Sequence, residues 1–180
     1  MKDFVFITGN QHKADYLAKW LGAPVAHHKF DLDELQSLDL RRVAEHKVRQ
    51  AYALLQQPAL VEDVALTFTA MGRLPGTLVK WFVEEIGNEG LCKVADTLAH
   101  REAVASICYA YYDGKQVRFF ESHLPGEVAL RPRGEHGFGW NAAFIPKGST
   151  KTYAEMTEDE VRPFSMRARA IDKLRTFLQA

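Results

Sequence analysis

Between residues 4 and 22 the chain changes its hydrophobic period, and this change restricts the fold more than any other feature. Phe4 to Ile7 is a short unbroken apolar run closed by Thr8-Gly9-Asn10, the signature of a buried strand ending in a tight turn. Ala14, Leu17 and Leu21 then recur at helical spacing, and Gly22 supplies a stop. A strand that turns directly into a helix points to a sheet covered by helices. The same theme recurs downstream. Ala44, Val48, Ala51 and Leu55 give a second amphipathic helix ending near Pro58, and Ala59 to Val61 form a second buried strand. Residues 29 to 40 are acidic and mixed, a strand followed by a loop. Val79 to Ile86 and Gly90 to Leu98 carry helical patterns. Ala103 to Tyr112 is apolar and β-rich, and Asp113-Gly114 signals a hairpin before Gln116 to Ser122. Pro132 to Gly139 is a glycine-rich loop, and Ile171, Leu174 and Leu178 mark an amphipathic C-terminal helix. The predicted fold is α/β, with a mixed central sheet flanked by helices.

Length and charge narrow the classes of function. A chain of 180 residues suits a single domain over 1–180, with room for two lobes, and buries roughly 70% of its unfolded surface. Its 23 basic and 23 acidic residues cancel. A protein that holds nucleic-acid polymers by bulk attraction carries a basic excess, so that class is set aside. A small anion needs only one local basic pocket. Cys92 and Cys108 form neither a metal spacing nor a disulfide framework, as expected of buried thiols in a reducing compartment. The apolar run at the N-terminus is too short for a signal peptide or a membrane span. The expected location is the cytoplasm, with no membrane partner.

Several groups have the chemistry for a polyanionic substrate. Thr8-Gly9-Asn10 with Lys13 lies between a strand and a helix, where backbone N–H groups attract anions and a lysine adds a full charge. The same residues also make an ordinary capped turn. Glu62 and Asp63 follow a buried strand. Hard carboxylate oxygens there suit Mg²⁺ and can orient a water; an exposed acidic turn is the plainer reading. Asp31, Asp33 and Glu34 form a second acidic cluster, able to complete a metal site or to stay solvated. Lys80 beside Trp81-Phe82 is either a phosphate ligand or a helix-surface lysine. Phe138 and Trp140 could stack on a base or pack as a core strand. Arg167, after Ser165-Met166, could donate to a carbonyl or phosphate. His27 and His28 read as loop residues.

Together these pieces resemble the Ham1/inosine triphosphate pyrophosphatase family along nearly the whole chain. Thr8-Gly9-Asn10 with Lys13 matches the family's opening T-G-N-x-x-K. Asp31-Leu32-Asp33-Glu34 sits where the family has L-P-E. Val61-Glu62-Asp63, Leu74-Pro75-Gly76 and Lys80-Trp81-Phe82 are similar to the eukaryotic-type spelling. Pro132-Arg133-Gly134 and Gly137-Phe138-Gly139-Trp140 match the late glycine-rich motif. Thr152-Tyr153-Ala154-Glu155-Met156 matches T-[FY]-A-E-M, and Ser165-Met166-Arg167 matches S-H-R with its middle residue changed.

The resemblance implies an elongated Ham1/Maf-like fold, two lobes with a groove between them, and a homodimer. It also implies Mg²⁺-dependent hydrolysis of a non-canonical, purine nucleoside triphosphate to the monophosphate and pyrophosphate. On its terms Thr8, Asn10, Lys13, Lys47 and Lys80 hold phosphate. Glu34 and Asp63 serve the metal, and Asp63, Glu62 and Lys13 serve catalysis. Phe138, Trp140, Asn141, Ser165 and Arg167 line the base side. The departures fall mainly at the base. Asn141-Ala142 replaces Asp-Pro, Met166 replaces the histidine of S-H-R, and Val161-Arg162 replaces a Lys-Asn pair. Two other functions fit the same motifs: a Maf-like pyrophosphatase for modified or pyrimidine nucleotides, and a nucleotide-binding homologue without catalysis.

Overall fold

The computed structural model describes residues 2–180. Its strands are β1 Val5–Ile7, β2 His27–His28, β3 Ala59–Phe68, β4 Pro75–Gly76, β5 Glu102–Tyr112, β6 Val117–Val128 and β7 Phe144–Pro146. Its helices are α1 Gln11–Leu21, α2 Leu40–Leu55, α3 Val79–Asp96, α4 Glu158–Val161 and α5 Met166–Gln179. The strands form one seven-stranded sheet in the order β2-β1-β3-β5-β6-β7, with β4 paired to β3. It is mixed: β1 runs parallel to β2 and β3, whereas β4 and β7 pair antiparallel with β3 and β6. Helices flank it, as the sequence patterns predict. No helix among the described residues is long and apolar enough to cross a membrane.

The chain divides into two compact units. The first comprises Met1–Asp63, Ile107–Ser122 and Arg167–Ala180; the second comprises Val64–Ser106 and His123–Met166. In the first unit, the opening strand–turn–helix forms because its ends are capped. The Asn10 side chain caps α1 by accepting from Lys13 N, and Gly22 closes it at φ 71, a left-handed conformation that glycine adopts without a Cβ clash. Asp39 caps α2, accepting from Arg41 N and Arg42 N at 3.0 and 3.2 Å. The apolar face of α2 (Ala44, Val48, Ala51) packs on Ile7, Ala59, Val61, Cys108 and Ala110 to make the core of this unit.

The second unit takes the later halves of β3 and β6, the first half of β5, and β4, β7, α3 and α4. Its helix α3 is broken at Gly87, where φ 64 and ψ −177 interrupt the helical backbone. The two helical patterns read on either side of residue 87 are therefore the two segments of α3.

Three expectations need correction. Residues 29 to 39 contain no strand; their polar character leaves them as loop up to the Asp39 cap. His27 and His28 form β2, because β1 offers a parallel edge to which their backbone pairs. The acidic pair is not at a strand end. Strand β3 runs from Ala59 to Phe68, with Glu62 and Asp63 inside it.

Candidate active site

Glu62 and Asp63 are neighbours on one strand, so their side chains leave opposite faces of the sheet and meet different surroundings. Glu62 is buried. Its Oε2 accepts from Tyr109 Oη at 2.6 Å and from Arg167 Nε at 3.0 Å. Its Oε1 accepts from Arg167 at 2.9 Å and lies 3.1 Å from Lys13 Nζ. Burial alone would raise the Glu62 pKa. The charges of Arg167 and Lys13 and the hydrogen bonds from Arg167 and Tyr109 overcome this and hold it far below the usual carboxylate range. Burial and the adjacent Glu62 charge push the Tyr109 hydroxyl well above its ordinary value. Arg167 is also stacked over Tyr16, 5.5 Å from the ring centroid.

Asp63 faces a different set. Its Oδ1 accepts from Lys47 Nζ at 2.9 Å, and the same ammonium lies 3.2 Å from Glu34 Oε1. Its Oδ2 is buried with no hydrogen-bond partner among the described residues. Burial outweighs Lys47 here, and the Asp63 pKa is raised. Burial lowers Lys47, but Asp63 and Glu34 more than offset it, so its pKa is raised and it stays charged. The neighbouring carboxylates are thus pushed in opposite directions, a pattern that separates acid–base roles within one site.

The first unit gathers Thr8, Asn10, Lys13, Glu34, Lys47, Glu62, Asp63 and Arg167. Thr8 Oγ1 accepts from Asn10 N at 3.1 Å, which tightens the turn. At Gly9 an added Cβ would lie 3.1 Å from the Lys29 side chain, so the turn approaches that side chain closely. Arg167, expected at the base, instead grips Glu62 through two nitrogens. Glu62, expected among the catalytic groups, has both oxygens saturated by donors.

A metal suits the Glu34–Asp63 pair. The unpartnered Asp63 Oδ2 is a buried hard oxygen that lacks a donor, and Glu34 converges on the same Lys47. Among the described residues no group of three or more His, Cys, Asp or Glu could hold an ion. Two carboxylates are the usual protein share for Mg²⁺, which takes its other ligands from water and phosphate.

The remaining expected residues, Lys80, Phe138, Trp140, Asn141 and Ser165, belong to the second unit. Lys80 lies on α3, its Nζ 5.1 Å from the Trp81 ring centroid. Phe138 is exposed, whereas Trp140 is buried. Trp140 meets Phe144 edge-on at 5.6 Å and lies 6.2 Å from Tyr153. Neither aromatic lies in a strand: Trp140 serves the core and Phe138 faces outward. The Asn141 amide occupies the space of a Gly137 side chain, 2.1 Å from where its Cβ would stand. Ser165 is buried at the end of a 3-10 turn.

Tyr109, bonded to Glu62, and Tyr16, beneath Arg167, join this cluster without having been singled out by the sequence patterns. A tyrosine within a buried strand needs a partner for its hydroxyl, which is a weak signal. Lys47, which the family resemblance implies, also carries a signal in its own position. It sits at helical spacing among buried Ala44, Val48 and Ala51, and a lysine on an apolar helix face requires a nearby carboxylate.

Comparison with known proteins bears on the family and the fold. The Ham1 family model matches residues 4–177. The inosine triphosphate pyrophosphatase of Yarrowia lipolytica is 40% identical over 179 residues, covering 97% of this chain and 94% of its own. That of Schizosaccharomyces pombe is 39% identical, covering 100% and 97%. A Ham1 protein from Coxiella burnetii superposes with a TM-score of 0.87 at 22% identity, covering 99% of both chains. The Ham1 protein of Staphylococcus aureus gives 0.83 at 22% identity and 98% coverage of each. The order of the motifs and the length of these matches lead to one conclusion: this chain belongs to the Ham1 family.

Proposed function

We propose that this protein hydrolyses a non-canonical purine nucleoside triphosphate, of the inosine triphosphate class, to the monophosphate and pyrophosphate. The observation that carries this reading is the division of labour between Glu62 and Asp63. Asp63 has a raised pKa and one uncommitted oxygen, so it is the group able to take a proton from a positioned water. Glu62 stays ionised and anchors Lys13 and Arg167, acting as a positioning residue rather than as a base. Lys13 and Lys47 then offset negative charge on the polyphosphate, with the turn at Thr8 and Asn10 contributing the N-terminus of α1. Water adds to phosphorus, the anhydride bond between the first and second phosphates breaks, and pyrophosphate leaves. Glu34 and Asp63 would hold Mg²⁺, which when bound supplies further neutralisation of phosphate charge. Lys80 and the exposed Phe138 are assigned to the phosphate and base ends of the substrate, respectively.

The names of the relatives support the substrate class, and the family match across 4–177 supports one functional domain. A homodimer belongs to the same reading. Leu74, Trp81 and Ile86 are large apolar side chains exposed within residues 74–86, an apolar surface suited to a second copy. Sedimentation at twice the monomer mass is the expected result. Cys92 and Cys108 are free and buried, which suits a reducing cytoplasm.

The decisive test is pyrophosphate release from a panel of nucleoside triphosphates with Mg²⁺. Inosine and xanthosine triphosphates are expected to exceed ATP, GTP and the pyrimidine nucleotides in kcat/KM. Release from none of them overturns the enzymatic reading. The panel also reads base selectivity, where Asn141, Val161 and Met166 depart from the family pattern.

A further inference from the structure

The break in α3 is built into the sequence. Gly87 adopts φ 64 and ψ −177, a region open essentially only to glycine. Three residues on, a Cβ at Gly90 would stand 2.4 Å from Ile86 Cβ, so the second helical segment meets the first at a position that admits no side chain. Asn88 follows the break directly. Its Nδ2 donates to the carbonyl of Gly139 at 2.8 Å, while its Oδ1 is buried with no partner among the described residues. Leaving a buried acceptor unpaired costs stability. A side chain placed only to stabilise the helix would not be expected to incur that cost.

The carbonyl that Asn88 holds belongs to Gly137-Phe138-Gly139-Trp140. Gly137 and Gly139 both have positive φ, 79 and 62, so Phe138 sits between two permissive joints. On one side the segment is anchored by Trp140, buried against Phe144. Asn141 N also donates to the Phe138 carbonyl at 3.3 Å. The Asn88 amide is a side-chain anchor that reaches this segment from α3.

We propose that Asn88 is a positioning residue for base selection, holding the Gly139 carbonyl and thereby the presentation of Phe138. This rests on the reading of the Phe138 loop as the base side. Asn88 acts through the loop, so its loss weakens recognition of the base and leaves the phosphate end untouched.

The test compares wild type with Asn88→Asp, which keeps the size but turns an acceptor toward the Gly139 carbonyl. Pyrophosphate release is measured from inosine triphosphate and from GTP, and tripolyphosphate serves as a base-free competitive inhibitor. Asn88→Asp is expected to lower the inosine-to-guanosine ratio of kcat/KM by about 3–10-fold, through KM rather than kcat. The Ki of tripolyphosphate is expected to stay constant. Asn88→Gln, which keeps the amide, should recover part of the ratio. Should the aspartate variant fail to fold, Asn88→Ala removes the donor without adding charge and carries the same readout. A ratio that stays at the wild-type value, or an equal fall for both nucleotides together with a changed tripolyphosphate Ki, overturns the inference alone. Wild-type protein that cleaves no nucleoside triphosphate overturns the enzymatic reading and this inference with it.

Discussion

At the residue scale, Glu62 and Asp63 should respond oppositely to the same substitution. Glu62→Gln leaves Arg167 and Lys13 facing a neutral amide. Breaking a buried charge pair from one side costs about 3–5 kcal/mol, which for a chain of this length lowers Tm by roughly 6–20 °C. Asp63→Asn removes a carboxylate whose ionisation burial already disfavours. Its Tm is expected to hold or rise, while pyrophosphate release falls by about 10²–10⁴-fold. Differential scanning calorimetry paired with pyrophosphate assay separates the two, and a Glu62→Gln protein with wild-type Tm would disprove the anchoring role. The pH dependence follows from the Glu62 shift. Its folded pKa is depressed below the ordinary 4.5, so its contribution is fully present above that value. It is lost as pH falls below about 4.5, because the unfolded chain then takes up the proton first. Denaturant titrations between pH 6 and 3 should show stability falling in wild type and a flatter profile in Glu62→Gln. The sequence made this pair visible but not its asymmetry. Arg167 and Tyr109 lie 105 and 47 positions away, and no local pattern links them to Glu62.

At the scale of elements, legibility followed local chemistry. The strand–turn–helix at residues 5–21, the hairpin at Asp113-Gly114 and the two halves of α3 each carry their signal in adjacent residues, and each is present. The misplaced features have causes elsewhere in the molecule. Strand β3 read as three residues because Glu62 and Asp63 interrupt its apolar run, yet distant counter-charges let the strand continue through them. Strand β2 is polar and exists because β1 has an edge to pair. The base-side residues were read as a group, but Trp140 turns inward because Phe144 and Tyr153 receive it. Helix α2 offers a test at this scale. Asp39 caps it through two backbone N–H groups, and α2 carries Lys47 to Asp63. Asp39→Ala is expected to cost about 1 kcal/mol, seen as a lower urea midpoint at constant m, with a smaller effect on activity than Lys47→Met. A larger loss of activity in the cap variant would contradict the placement of Lys47.

At the scale of the whole molecule, the proposed metal role of Glu34 and Asp63, which meet at Lys47, predicts that activity depends on a hard divalent ion. Removing metal with EDTA should abolish pyrophosphate release, and Mg²⁺ should restore it; calcium, larger and less strict in geometry, should restore less. Full activity in EDTA would remove the metal from the reading. The discontinuous make-up of the first unit also bears on biogenesis. Glu62 leaves the ribosome 105 residues before Arg167, a delay of roughly 5–20 s at ordinary rates of synthesis. Until then, the nascent chain holds the acidic strand with Lys13 and Tyr109 but without its guanidinium partner, so Glu62 lacks two of its donors. Docking of α5 is therefore the event that seals the site, and a translating chain should become resistant to protease at β3 only once Arg167 has emerged.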